Sequence, residues 1–501
     1  MPKSRACPAP CTTDSPAHFH ESFISQSPGF HKRLAQWAVD HHPIHPPRIH
    51  PPMKPSFCVA AALSLGLLCA PAMAQTEFPA RLAGHAILPA LTLVAAPAGA
   101  PADLQVSGKF TTAQRADAIA SIEGRSGGRP TGIQVPFRGQ PMQGHSGILH
   151  NADGSFWLLT DNGAGNRANS PDFMLHLSRY RINFQTNRWE RLETVFLHDP
   201  DRRVPFRIIH EGTPQRFLTG SDFDPEGVQI AGGHFWIGDE FGPYLIKVDL
   251  QGRVRGVFET QVDGRTVVSP DHPSVRTPAI PGGEVAFQVR RSRGFEGLAA
   301  SPDGSRLFAM LEGPLWDAST RAFEQRDGRA FLRVLEFDVQ TERWTGRQWR
   351  YTLEGENHAI GDFNFIDSTT ALVIERDNGE GTADRACPAG QRRTDCFHDI
   401  ARFKRVYKIE LSEANVNDAV RKIGFIDLMR IQDPNRRARV PLNDGVLTFP
   451  FFTIENVDVV DARHIVVGND NNLPFSSSRH PNRADDNELV LLDVSELLAA
   501  R

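Results

Sequence analysis

The sequence is poor in cysteine and lacks the motifs of several common enzyme classes. Only six cysteines occur among 501 residues. There is no G-x-S-x-G nucleophile elbow, no Walker phosphate-binding loop, no H-E-x-x-H pair and no dinucleotide-binding glycine fingerprint. A serine hydrolase of the α/β type is therefore not supported.

Long hydrophobic runs are equally scarce. The run Phe57–Cys69 follows Met53-Lys54 and precedes Ala72-Met73-Ala74. A charged start, a short apolar stretch and an A-x-A signal are typical of a secretory signal peptide, and the run is too short for a stable membrane-spanning helix. We expect a signal peptide over 53–74, cleavage after Ala74, and a periplasmic or secreted mature protein.

The first 52 residues do not fit the start of an exported chain. They carry seven of the nineteen histidines and many prolines, without periodicity. Because a signal peptide works at the N-terminus, residues 1–52 are interpreted as an extension that arises from start-site choice. A histidine-rich metal-binding arm is the alternative interpretation.

An excess of positive charge is also missing. The formal net charge is −4, and it becomes −7 when the six basic and three acidic residues before Gln75 are removed. This balance argues against a nucleic-acid partner, which requires a basic face. No other segment is apolar enough to cross a membrane.

Only two cysteines follow the predicted cleavage point. Cys387 and Cys396 are nine positions apart in a polar segment that contains Pro and Gly. In an oxidising compartment this spacing predicts one local disulfide, with two free thiols as the alternative. Zinc is disfavoured because no second Cys or His pair stands at ligand spacing.

Short alternating apolar segments separated by Asp-Gly, Asn-Gly and Pro-rich turns dominate residues 75–501, and they predict an all-β fold. The clearest helical candidates are Thr111–Ile122 and Ser412–Val420, and both are short. A two-strand unit recurs five times, at residues 144–163, 224–242, 294–313, 361–379 and 454–471. Radial repetition of this kind predicts a single β-propeller, since a pair of sandwiches would not explain the repeat. Stretches 180–215 and 255–290 could add strands, so six blades are expected, with five or seven possible.

Acidic and amide residues recur at equivalent places in these units. The openings of the units contain Glu226, Glu296, Asp362 and Glu455, and the ends of their second strands contain Asp161-Asn162, Asp239-Glu240, Glu312, Glu375 with Asp377, and Asn469-Asp470-Asn471. The innermost strands of a propeller converge on its axis, so these side chains are expected to meet there. Several carboxylates at one place require a counter-ion.

A divalent cation, most simply calcium, fits a ligand set made only of oxygen atoms. The predicted metal ligands are Glu226, Asp239, Glu240, Glu296, Glu375 and Asp470. Arg376 could supply part of the counter-charge. The alternative is that these acids cap backbone amides and close turns, as Asp and Asn commonly do.

Several long motifs resemble one family. DPEGV from Asp224, FWIGDEFGPYLIKVD from Phe235, GFEGLA from Gly294, ALVIERDNGEG from Ala371 and ENVDVVD from Glu455 are similar to the phytase-like (esterase-like activity of phytase) family of exported bacterial proteins. The similarity extends from about Leu104 to the C-terminus. It implies hydrolysis of phosphate or other esters on a propeller.

These observations predict a metal-dependent exported hydrolase of small phosphate or carboxylic esters. The candidate catalytic residues are Glu296 and Glu226, one of which would act as the base, and Arg376 and His145, which could contact an anion. A core or turn role is the alternative for His145. The competing function is a non-catalytic, calcium-stabilised propeller that binds a ligand or a partner in the cell envelope.

Overall fold

The alternating segments pair as antiparallel strands in five sheets, each built on four strands. The computed structural model describes residues 75–501, so the predicted N-terminal extension and signal peptide lie outside the described residues. Each sheet is one blade, numbered here in chain order of its innermost strand. The strands are His145–His150, Ser155–Thr160, His176–Asn183 and Arg188–Phe196 in blade 1; Pro225–Ala231, His234–Asp239, Tyr244–Val248 and Val254–Glu259 in blade 2; Phe295–Ala300, Arg306–Leu311, Arg329–Asp338 and Arg343–Thr352 in blade 3; Ala359–Phe365, Thr370–Arg376, Lys404–Glu410 and Arg421–Asp427 in blade 4; and Ile454–Val459, His464–Asn469, Asn487–Asp493 and Arg81–Leu88 in blade 5.

The first strands of the five blades surround a common axis. Each first strand contacts those of the two neighbouring blades, and the strand of blade 5 contacts that of blade 1, so the ring is closed. Glycine permits this close approach. A Cβ atom on Gly227 would lie 2.7 Å from the backbone nitrogen of Leu298, and one on Gly297 would lie 2.7 Å from the Cβ of Phe363.

The hydrophobic core is divided into layers between neighbouring blades. Because side chains alternate along a strand, every inner strand contributes to the two layers on its two faces. In the second strand of blade 2, Phe235 and Ile237 pack toward blade 1, whereas Trp236 packs toward blade 3. Similar layers join blades 3 and 4, blades 4 and 5, and blades 5 and 1. Packing between sheets therefore stabilises the ring.

A strand from the beginning of the described chain completes the last blade. Arg81–Leu88 pairs antiparallel with Asn487–Asp493, and Thr76–Phe78 pairs parallel with Arg421–Asp427 of blade 4. Buried Glu488 on the strand Asn487–Asp493 connects the two strands of this pair. Its carboxylate accepts hydrogen bonds from His85 at 3.1 Å and from Arg479 at 2.6 and 2.7 Å. The ring is closed by pairing between residues about 400 positions apart in sequence.

The all-β propeller prediction is confirmed, and the blade count is five, one of the counts left open by the sequence. The five predicted repeat units are the first two strands of the five blades. Stretches 180–215 and 255–290 supply outer strands and a small hairpin, not a sixth blade. The remaining strands are Leu93–Val94, Val106–Ser107, Ile122–Ser126, Arg129–Val135, Phe137–Arg138, Gln140–Pro141, Gln261–Val262, Arg265–Thr266, Trp316–Asp317, Ala322–Phe323, Gln325–Arg326, Ile431–Gln432 and Val446–Leu447.

The two helix predictions are wrong. Residues 111–121 form turns and bends before the strand Ile122–Ser126, and within 412–420 only Glu413–Asn415 is a 3-10 turn. Short polar side chains explain the second case, because Ser412 and Asn415 cap the turn reciprocally. The other helical elements are Ala102–Gln105, Ala383–Arg385 and Ser495–Ala499.

The predicted Cys387–Cys396 disulfide is present. It lies in the long segment between the second and third strands of blade 4, outside the sheets. Among residues 75–501 no helix has the length and apolarity that a membrane crossing requires.

Candidate metal centre

Two rows of equivalent positions face the propeller axis at one end. In every blade, one residue near the start of the first strand pairs with one residue near the end of the second strand. Directly after this pair, the register of the first strand shifts. The next residue on the first strand is, from blade 1 to blade 5, Ser146, Glu226, Glu296, Gly361 or Glu455. The next residue on the second strand is Asp161, Glu240, Glu312, Arg376 or Asp470.

Carboxylates from these rows form one continuous cluster together with Asp224. Three overlapping groups, each with one oxygen per residue, have their oxygen atoms within 4.8 Å of one another. The groups are Asp224, Glu226 and Glu240; Glu226, Glu296 and Glu455; and Glu240, Glu296 and Glu312. All six residues are between 2% and 8% exposed. Blades 2, 3 and 5 thus contribute most of the acid.

The cluster is under strong electrostatic strain. Burial, followed by repulsion from neighbouring carboxylates, raises the pKa of Glu226, Glu240 and Glu296 well above the usual value for glutamate. Burial also raises the pKa of Asp224 to about 7. Without a counter-ion, ionisation of these groups would cost folding free energy.

Some oxygens of the cluster are without hydrogen-bond partners. Within residues 75–501, Asp224 Oδ1, Glu240 Oε1 and Glu312 Oε1 are buried and accept no hydrogen bond. Buried polar atoms are normally satisfied, so these three oxygens are available to a ligand. Calcium binds oxygen ligands at about 2.3–2.6 Å, which places ligand atoms up to roughly 5 Å apart across the ion. The residues present therefore fit a hard divalent cation.

Two arginines supply part of the positive charge. Arg376 Nη2 lies 3.3 Å from Glu455 Oε1 and 3.8 Å from Glu312 Oε1. Arg293 forms an ion pair with Glu312. Arg376 also donates from Nη1 to Asn378 Oδ1 at 3.0 Å, which connects the axis to the surface. Asp161 and Asp470 add to the cluster. Burial, followed by repulsion from neighbouring carboxylates, raises the pKa of each of them well above the usual value for aspartate.

Five of the residues named from the sequence are brought together here. Glu226, Glu240 and Glu296 belong to the carboxylate groups, Arg376 pairs with Glu455, and Asp470 has Glu455 and Arg376 as its charged neighbours. Their equivalent placement in the repeats is the signal that identified them.

The structure does not bring Glu375, Asp239 and His145 to the cluster. Each directly precedes a residue that faces the axis, and one step along a strand moves a side chain to the opposite face. Glu375 lies between blades 3 and 4 and bonds Tyr351 and Lys422. The carboxylate of Asp239 accepts hydrogen bonds from the backbone N–H groups of Asp224 and Gly242.

His145 is also turned away from the axis, where Ser146 takes its place. Ser146 donates its hydroxyl hydrogen to Glu455 Oε2 at 3.0 Å. Burial, together with the nearby His176, lowers the pKa of His145 to about 3, so it is neutral at physiological pH. A neutral imidazole in the core does not provide a cation for an anionic substrate.

Asp224, Glu312, Glu455 and Arg293 complete the cluster, although none of them was named as a site residue from the sequence. Glu312 and Glu455 carried the same signal as the named acids, namely their position in the repeat. Asp224 and Arg293 stand outside the two rows, before Glu226 and Glu296 in their respective blades. Only the folded connections between strands place them beside the cluster.

Two clefts share Asn378 in their walls, and one of them is lined by Glu312 of the cluster. One has a volume of about 230 Å³ and is bounded by Glu312 together with Arg290, Arg293, His358 and Asn378. The other has a volume of about 450 Å³; Arg129, Glu380, Phe452 and Asn472 contribute to its lining. The first cleft is therefore continuous with a carboxylate of the axial cluster.

Comparison with known proteins identifies a family match. The family model described as "Phytase-like: Esterase-like activity of phytase" matches residues 140–473. An "Uncharacterized secreted protein" of Arthroderma benhamiae is 28% identical over an alignment of 196 residues, and the alignment covers 34% of this chain. The chain spans only 38% of the length of that relative.

Solved structures with a similar arrangement are distant in sequence. A periplasmic gluconolactonase of Pseudomonas aeruginosa is 14% identical, with 75% of this chain and 96% of that chain covered and a TM-score of 0.29. The hydrazine synthase of Kuenenia stuttgartiensis is 11% identical, with 67% and 79% covered and a TM-score of 0.28. The Dos1 propeller is 8% identical, with 72% and 69% covered and a TM-score of 0.26. At these identities and TM-scores, the similarity does not indicate which reaction this chain catalyses.

Proposed function

The chain belongs to the phytase-like family, and from this premise we propose that it is an exported, metal-dependent hydrolase of phosphate or carboxylic esters. The observation that carries the proposal is the axial carboxylate cluster. Its six buried carboxylates outnumber the two arginines that pair with them, Arg293 and Arg376, and three of the carboxylate oxygens accept no hydrogen bond. The proposed cation is calcium, because all of the available ligand atoms are oxygens.

A cation held by Glu226, Glu240 and Glu296 would supply Lewis acidity toward an ester oxygen and toward water. The chain's own residues supply the remaining functions. A cluster carboxylate that is not used as a ligand takes a proton from the attacking water. Arg376 offsets the negative charge of Glu455 and Glu312, which lie beside it.

The test uses purified protein beginning at Gln75. Hydrolysis of p-nitrophenyl carboxylic esters and p-nitrophenyl phosphate is measured with EDTA, with calcium and with magnesium, alongside the melting temperature. We expect calcium to raise both the rate and the melting temperature, since a ligand that binds only the folded state stabilises it by mass action.

The outcomes separate two functions. Calcium-dependent melting with hydrolysis supports the enzyme. Calcium-dependent melting without hydrolysis of any ester favours the alternative, a calcium-stabilised propeller that binds a small ligand or a cell-envelope partner. If chelation changes neither property, the metal proposal fails, and the acids serve to cap backbone amides and close turns.

Export is the second part of the proposal. The relative in Arthroderma benhamiae is described as secreted, and the chain contains a disulfide. Cleavage after Ala74 would leave a mature chain whose first strand, Thr76–Phe78, begins one residue after the new end. N-terminal sequencing of the exported protein tests this, and a mature end before Met53 contradicts it.

A further inference from the structure

Glu375 carries an ionised carboxylate in a closed network. Its Oε2 accepts hydrogen bonds from Tyr351 Oη at 2.7 Å and from Lys422 Nζ at 2.9 Å. Its Oε1 accepts from the Glu354 backbone nitrogen at 2.6 Å and from His358 Nδ1 at 2.8 Å. Burial opposes ionisation, but His358 and Lys422 outweigh it and lower the pKa of Glu375.

This network fixes the orientation of His358. The bond to Glu375 keeps a hydrogen on Nδ1, so Nε2 is the nitrogen that can exchange a proton. The ring also packs on Phe403 at 4.1 Å between centroids. The His358 side chain remains 16% exposed, whereas Glu375 is fully buried. Within residues 75–501 no hydrogen-bond partner is found for Nε2.

His358 lines the cleft that reaches the axial cluster. Glu312 bounds the same cleft, as do Arg293 and Asn378. Asn378 bridges the two parts of the site: it accepts from Arg376 and donates to the Asn357 carbonyl oxygen at 3.2 Å. A buried carboxylate that orients a histidine beside a reactive centre is an arrangement suited to proton transfer.

We propose that His358, oriented by Glu375, is the general acid that protonates the leaving oxygen of an alcohol ester bound in this cleft. The inference rests on the proposed ester hydrolysis and assigns a residue to its second half. Water adds to the acyl carbon or to phosphorus, and its proton passes to a cluster carboxylate. The bond to the leaving oxygen breaks, its electron pair stays on that oxygen, and Nε2 of the imidazolium donates the proton that makes the alcohol. The carboxylate's proton then returns to the imidazole through water.

The leaving group provides the test. p-Nitrophenolate leaves readily without a proton, whereas an alkoxide requires one. We expect His358→Gln to reduce kcat for alkyl esters or alkyl phosphates about 100-fold, within the usual range for general acids, and to reduce kcat for the p-nitrophenyl ester of the same acid less than about 10-fold. His234→Gln, in blade 2 and outside the cleft, is the matched control.

The wild-type protein provides a measurement that does not depend on the variant's folding. A general acid makes kcat nearly insensitive to the basicity of the leaving alcohol, so a series of esters should give a flat dependence. A steep dependence, or equal losses on both ester classes in a folded His358→Gln protein, overturns the inference while leaving hydrolysis established. A wild-type protein that hydrolyses no ester overturns the proposed function, and the role of His358 falls with it.

Discussion

Glu296, like Glu226 and Glu240, belongs to two of the three carboxylate groups of the axial cluster. Its negative charge is therefore repelled from two sides when no cation is bound. We expect Glu296→Gln to raise the melting temperature of the calcium-free protein by about 1 °C, which corresponds to about 1 kcal/mol in a chain of this size. The same substitution should diminish the rise produced by calcium and reduce hydrolysis.

Glu190→Gln is the control for this prediction, since Glu190 is an exposed carboxylate on the outer strand of blade 1. It should leave both melting temperatures unchanged. Melting curves of the two variants and the wild type, with EDTA and with calcium, provide the comparison. A Glu296→Gln protein with the full calcium response would show that the ion binds elsewhere.

The choice between adjacent residues could not be made from the sequence alone. Glu375 and Arg376 are neighbours at the end of one strand, and either could have faced the axis. The register of Ile360 with Glu375 decides the matter, because it makes Arg376 the equivalent of Glu240 and Glu312. Repeat position located the side chains at the axis to within one residue, and strand alternation assigned the face on which each one lies.

At the scale of elements, the disulfide fastens a loop and not a blade. Cys387 and Cys396 enclose a short segment outside the sheets. We expect the double substitution Cys387→Ser, Cys396→Ser to cost roughly 2–3 kcal/mol at most, the value that loop-closure entropy allows for so short a loop. Urea unfolding measures the change, with reduced wild-type protein as the control. Loss of the β-sheet circular dichroism signal in the variant would contradict this prediction.

The pairing that completes blade 5 depends on an ionised carboxylate. Burial opposes ionisation of Glu488, but Arg479 and His85 outweigh it and lower its pKa to about 2. A carboxyl group whose pKa is lower in the folded state stabilises the protein above its unfolded value, near 4.5, and this stability is lost as the pH falls toward 2.

Glu488→Gln should therefore destabilise the protein at pH 7 by an amount on the order of 3 kcal/mol, from the size of the pKa change. The difference from the wild type should shrink as the pH falls from about 4.5 to about 2, where the wild-type residue is itself protonated. Urea titrations at several pH values measure it. A difference that stays constant over that range would show that the charge of Glu488 contributes nothing.

The element count was predictable because each repeat carries its own turn and strand signals. All five copies found in the sequence are the first two strands of a blade. The expectation of a sixth blade came from long intervals between copies, and these intervals contain outer strands, the hairpin Gln261–Val262 with Arg265–Thr266, and loops. Spacing measures loop length as well as blades, so it overestimates their number.

At the scale of the whole molecule, the ring is held closed by Arg81–Leu88. No local pattern could assign this strand to blade 5, because its partner Asn487–Asp493 lies at the other end of the chain. Its side chains also enter two core layers: Leu82 packs between blades 4 and 5, and Ala86 and Leu88 pack between blades 5 and 1. Removal of this strand would expose the edge of the blade 5 sheet and two hydrophobic layers to solvent.

A chain that begins at Pro89 should therefore melt at a clearly lower temperature than one that begins at Gln75, and it should associate, since Asn487–Asp493 becomes an exposed edge strand. Calorimetry and sedimentation compare the two chains. A synthetic peptide of residues 75–88 should restore the monomer by adding the missing strand, as extended peptides do at open sheet edges. The same peptide with His85 and Leu82 replaced by aspartate is the control, because it carries charge into the buried faces. If the shortened chain is monomeric and melts like the longer one, closure does not depend on this strand, and packing between the five first strands alone holds the ring.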